Sequence, residues 1–209
     1  MTVKLVKRAS QTATFSRQCL YDARTALAVG LQEYIQELKP LYPLESARSI
    51  QLATVRHTWA AAEEPAEYPG ICVYSSDEHE YTANSRFSPT LQFQFEDGSC
   101  LYQTSEINYE LTIDLYCNDD VERMAIAKML EDGLVPLDST YGCIIEIADY
   151  YNARASYELM RASYADTSDS VQRRLRQATF KVAGAMPVYR LTEPRKKASD
   201  IRVDLGVSE

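Results

Sequence analysis

The chain has 209 residues, 45% of them hydrophobic, which is enough to bury a proper core. Its formal net charge of −8 and pI near 4.9 exclude a general nucleic-acid binder, because neutralising phosphate requires Lys and Arg to dominate a surface. It contains no apolar run of the roughly 18 residues that a bilayer-spanning helix needs, and the start MTVKLVKRASQTATF lacks the apolar stretch of a secretory signal, so a cytoplasmic beginning is expected.

Charge is unevenly distributed. Residues 60–149 hold three Lys/Arg against nineteen Asp/Glu, a net −16, while the segments on either side are each at +4. Such segregation points to charged surfaces that meet complementary ones. Tyrosine is also unusual, fifteen against five Phe and one Trp, and its apolar ring with a polar tip suits half-exposed sheets and protein interfaces. The five cysteines, Cys19, Cys72, Cys100, Cys117 and Cys143, are odd in number and contain no C-x-x-C, so they read as buried free thiols and not as a zinc site or a disulfide framework.

In chain order, Leu20, Ala23, Leu27, Leu31, Tyr34, Ile35 and Leu38 repeat at helical spacing, predicting a long amphipathic helix over 16–38 that Pro40 and Pro43 stop. A strand is predicted at 49–59, a loop through Tyr68-Pro69-Gly70, and a short buried strand at 71–75. The segment SDEHEYTANSRFSP has neither periodicity and reads as an extended acidic loop or arm at about 76–90. Alternation resumes over 91–103 with a hairpin turn at Asp97-Gly98, then over 107–115, where Ile107, Tyr109, Leu111, Ile113 and Leu115 mark one buried face. Asp119 and Glu122 have capping-box spacing and open a second helix at 119–132. The last third reads as strands at 143–150, 153–164, 178–191 and 199–207, with a short basic helix at 168–177 and Pro187 at an edge or bulge. The fold class expected is α+β, a single domain over 1–209: a mixed or antiparallel β-sheet system, a long N-terminal helix, and a second helix packed on the sheet.

The chemistry is sparse. His57 and His79 are the only histidines, no cysteine is placed beside either, and no phosphate-loop, nucleophile-elbow or zincin motif occurs. Asp77, Glu78, His79 and Glu80 could ligate a cation, but a solvated acidic loop is the simpler reading. No enzyme activity, catalytic residue, metal or cofactor is therefore expected.

The succession of a long helix, a strand, YPGICV, then YELTIDLYCNDDVERMAIAKMLEDGL, then paired strands ending MPVYRL and IRVDLGV resembles neck and tail-completion proteins of tailed bacteriophages, the tail terminator group above all. The resemblance implies a virion structural protein, assembled in host cytoplasm, that forms a homo-oligomeric and usually hexameric ring. Such a ring caps the tail tube and joins it to the head connector. Its partners would be other copies of itself, tail tube and sheath proteins and connector proteins, with DNA only passing through an acidic lumen and no membrane involved. Another tail or baseplate component is the near alternative; a small cytosolic enzyme or regulatory binding module is the alternative from a different class. The interface residues expected are the basic set Arg173, Arg174 and Arg176 on the short helix and Arg195, Lys196 and Lys197 beyond it, meeting the acidic middle of a neighbour. The cysteines are expected to be reduced in the monomer, because assembly happens in cytoplasm; bridging of subunits by a pair such as Cys72 and Cys100 is left open for the aged particle.

Overall fold

The computed structural model describes residues 3–5, 15–41, 44–58, 67–83, 89–135, 143–168 and 174–193. Its elements are β1 (Val3–Leu5), α1 (Ala23–Leu38), a 3₁₀ turn (Lys39–Leu41), α2 (Leu44–Leu52), β2 (Thr54–Thr58), β3 (Gly70–Ala83), β4 (Thr90–Gln94), β5 (Cys100–Cys117), α3 (Asp120–Leu134), β6 (Cys143–Ile147), β7 (Ala153–Ser168) and β8 (Arg174–Thr192). The eight strands form one sheet in the order β1-β6-β7-β8-β5-β3-β2, with β4 pairing β5 beyond the end of β3. All described pairs are antiparallel except β2 with β3, so the sheet is mixed and the molecule is sheet-dominated α+β.

β5 is the spine. Its 18 residues pair with β8 from Cys100 to Cys117 on one side and with β3 and β4 in tandem on the other. Ile107, Tyr109, Leu111, Ile113, Leu115 and Cys117 turn one face into the core, as the alternation predicts, and Phe180, Val182 and Met186 of β8 continue that face. The expected break between a hairpin strand and the strand after it is instead a register shift near Gln103 and Ser105 inside one continuous strand.

α1 crosses this face, and its approach is set by small residues. A Cβ at Gly30 would lie 2.8 Å from Ile147 Cδ1, and one at Gly184 would lie 2.9 Å from Leu27 Cδ2, so hydrogen at both positions lets helix and strands meet closely. Tyr157 Oη donates to the Leu27 carbonyl at 2.6 Å, fixing the crossing point with a buried hydrogen bond. Asp22 caps the helix by accepting from the Thr25 amide at 2.8 Å. The helix is therefore shorter than predicted. Residues before the cap are tied to the β6–β7 turn, with the Tyr151 amide donating to Gln18 O at 2.7 Å and the Leu20 amide to Asp149 O at 2.9 Å. Leu20 lies outside the helix and is 66% exposed, against the expectation that it belongs to the core.

Four further readings are corrected. Residues 49–52 end α2 rather than begin a strand, because LESARSIQL is rich in helix formers and the β-branched pair Thr54-Val55 starts the strand later. β3 does not stop at 75 but runs to Ala83, since its Glu80–Ala83 end pairs with Ser105–Asn108 of β5. The basic helix expected over 168–177 is absent from its two described ends: Ser168 finishes β7 and Arg174 begins β8, where cross-strand pairing overrides local propensity. β1 was not foreseen. Pro187 sits two residues past Ala185, the last β8 partner of β7, and beside the register shift in β5, in keeping with the edge-or-bulge reading. The strand predicted at 199–207 lies outside the described residues.

Replacing Leu111 by Ala is expected to lower unfolding free energy by about 2–5 kcal/mol, while Leu20→Ala stays within about 0.5 kcal/mol of the parent. Urea denaturation reads both, and equal losses would contradict this core.

Candidate functional site

Among the described residues no group of three His, Cys, Asp or Glu is placed to hold a metal ion. His57 stands on β2 with its pKa lowered by burial, opposite Val73 of β3 and one row from Cys72, whose sulfur accepts from Arg56 Nε at 3.4 Å. Cys72 and Cys117 are buried, Cys100 and Cys143 half-buried, and Cys19 exposed, which corrects the expectation that all five are buried. Burial pushes the Cys117 thiol up to about 12 and the Cys143 thiol up to about 11, so both are protonated and inert at neutral pH. Cys100 opens β5 whereas Cys72 pairs with Asp114 near its far end, so the two lie toward opposite ends of that strand.

The face of the sheet away from α1 carries a polar network. Asp114, buried, accepts from Tyr74 Oη and from Thr179 Oγ1 at 2.5 Å. Lys181 Nζ donates to Thr112 Oγ1 at 2.8 Å and to Glu110 Oε1 at 3.0 Å. Burial, and then the Asp114 carboxylate, push the Tyr74 phenol far above its ordinary range. Each donor and acceptor here has a structural partner, and the network locks β3, β5 and β8 together.

At the opposite end of the sheet Arg17 stacks 4.8 Å over Phe95 and pairs with Asp97, whose carboxyl is held down to about 2 by hydrogen bonds from Ser99 and then by Arg17. Phe15, Phe93, Tyr150, Tyr151 and Tyr189 continue the cluster, and a shallow pocket of about 390 Å³ is lined by Arg17, Phe93, Gln94, Phe95 and Glu96.

The flank where α3 meets β7 keeps several large apolar side chains exposed. Asp119 caps α3 by accepting from the Glu122 amide at 2.9 Å, and Glu122 reaches back to the Asn118 amide at 2.9 Å, which is the structural role the sequence assigned to these carboxylates. Ile126, Ala127, Met129, Leu130 and Leu134 are the buried stripe of α3. Val121 and Met124 fall outside that stripe and stand 78% and 70% exposed. On the strand packed against this helix, Tyr164 of β7 donates to Glu131 Oε1 at 2.7 Å and lies 5.6 Å beneath the Arg123 guanidinium, yet remains 51% exposed; Met160 on the same strand is 63% exposed. Met124 precedes Glu131 by seven residues and so shares its side of the helix. Sequence reasoning missed this patch, although an α3 with apolar residues on two faces was a legible signal.

Beneath the patch Arg123 and Arg176 form a closed set with Asp120 and Asp166. Arg123 pairs with Asp120 at 2.5 Å and Asp166 at 3.7 Å, and Arg176 pairs with Asp120 at 3.3 Å and with Asp166. Of the basic residues singled out from sequence, Arg176 is thus neutralised within its own chain and stands on a strand. Arg174 begins that strand, while Arg173, Arg195, Lys196 and Lys197 lie outside the described residues.

No protein-family model matches the sequence, and no curated protein matches it. Among solved structures the chain is similar to one described as "Virion of native gene transfer agent (GTA) particle", at 13% identity and a TM-score of 0.40, over 78% of this chain and 98% of that chain.

Two outcomes follow from the burial of these side chains. Iodoacetamide on the native protein is expected to label Cys19 first, with Cys72 and Cys117 reacting only after unfolding; mass mapping checks the order. Burial pushes the Tyr150 and Tyr189 phenols up to about 12, above their ordinary value near 10. The folded state therefore favours the neutral phenols, whose contribution is complete below pH of about 10 and is lost as pH rises toward about 12. Tyr150→Phe, which keeps the ring and removes the titrating group, is expected to flatten that alkaline loss of Tm.

Proposed function

We propose that this chain is a virion structural protein of a tailed bacteriophage, of the neck or tail-completion kind, that works as a tail terminator by forming a homo-oligomeric ring. The observation that carries this reading is the α3–β7 flank, where Val121, Met124, Met160 and Tyr164 keep large apolar surface in water on a rigid helix and strand. Apolar side chains rimmed by paired charges are how protein–protein contacts are built. The order of elements quoted from the sequence supports the phage assignment, and six chains is the ring size it implies. Partners in this reading are other copies of the chain, the tail tube and the head connector. Contact between the acidic middle of one subunit and Arg173, Arg174, Arg195, Lys196 and Lys197 of another adds a salt-sensitive component, weakened at about 1 M salt where the Debye length falls to about 3 Å.

Light scattering and electron microscopy of the concentrated protein test the reading. Rings several times the 23.7 kDa chain mass are expected, and the double variant Val121→Asp, Met124→Asp is expected to stay folded, with stability within about 0.5 kcal/mol of the parent, while losing the rings. Rings that persist in the double variant would remove the flank from the account, and a parent that forms no ring would remove the terminator reading.

A further inference from the structure

A ring whose contacts run head to tail needs two different surfaces on every copy, since the patch that one subunit offers has to meet another patch on the next. The first is the start of α3, where Val121 and Met124 project from the opening turns of the helix into water. The second has to receive them, and so has to be concave and apolar. At the other end of the sheet Phe93 and Phe95 meet edge to face with ring centroids 5.0 Å apart. With Arg17, Gln94 and Glu96 they wall the pocket of about 390 Å³, and Phe93 keeps 39% of its surface exposed.

We propose that the start of α3 on one copy of this chain seats in the Phe93–Phe95 pocket of the next, with Met124 as the side chain that enters it. This inference rests on the ring reading and names the surface that its flank meets. Chemistry favours the match. A methionine is unbranched and flexible, and its polarisable sulfur makes favourable contacts at the edges of aromatic rings, which is what a shallow pocket walled by two phenylalanines offers. Charge agrees at the rim: Asp119 stands exposed just before Val121, while Arg17 keeps 47% of its side chain in water at the pocket.

The two surfaces are too far apart to meet within one chain. Tyr164 of the flank shares a row with Ala178 and Leu115, whereas Phe93 shares one with Leu101. At strand rise, Leu115 and Leu101 are separated by roughly 45 Å along β5. The contact therefore has to be made between copies, and each copy that accepts a neighbour at its pocket still presents a free α3 start to another. By contrast, flank against flank would be an isologous contact that closes as a pair and leaves Phe93 in water.

Cross-linking with Val121→Cys and Glu96→Cys, both in a Cys19→Ser, Cys100→Ser background, tests the seating while leaving Met124, Phe93 and Phe95 in place. Under mild oxidation the double variant is expected to give a ladder of linked chains that ends at the ring. An equal mixture of the two single variants is expected to give dimers alone, and each single variant by itself to give no link. A Val121→Cys variant that links to itself would overturn the seating and show that flank meets flank. Rings in which no 121–96 link forms would also overturn it, and would leave the ring reading standing. A ladder that never closes would support the seating and remove the ring. A protein that stays monomeric and unlinked at every concentration would overturn both.

Discussion

Full-length pairing of β5 with β8 is the constraint on which the rest of the molecule depends. Because every backbone group of two long strands has to find a partner, these strands fix a common twist and register for all others. β3 and β4 share the far side of β5, and β7 takes its register from β8. The pairing also sets which side chains face α1. Gly184 lies opposite Tyr109 on β5 and Tyr157 on β7, and at that row Leu27 descends onto the sheet. A slip of one residue would turn Leu111 and Ile113 outward and Thr112 and Asp114 inward. The Tyr74–Asp114–Thr179 contacts on the other face oppose such a slip, since each requires the observed register.

The α3–β7 flank shows how charge and apolar surface are separated. Two arginines and two aspartates close on one another, which anchors the start of α3 to Asp166 near the end of β7 and Arg176 near the start of β8. Tyr164 stacks under Arg123 of this set and donates to the Glu131 carboxylate, while Val121 and Met124 of the same helix stay exposed. Arg176 thus has a local task that its position in a basic run did not reveal.

Much of the sheet was legible because its signal is local. The alternation from Ile107 to Leu115, the Asp97-Gly98 turn and the Asp119 cap each follow from residues close in sequence, and the structure places them as read. What was not legible depends on distant partners. Residues 174–177 have a helical look, but their fate is decided by Asp166, Asp120 and the end of β5. Leu20 fits the helical stripe, yet the segment around it is held by the β6–β7 turn. Val121 and Met124 share the helix with the buried stripe, and only the position of the sheet tells which apolar face is left in water.

Amide hydrogen exchange on the native chain, compared between dilute and concentrated protein, tests most directly whether assembly runs through this flank. The account predicts that amides in 158–165 slow markedly on concentration, while the β5 core stays protected throughout. Amides in 158–165 that exchange as fast in the concentrated protein as in the free chain would contradict it.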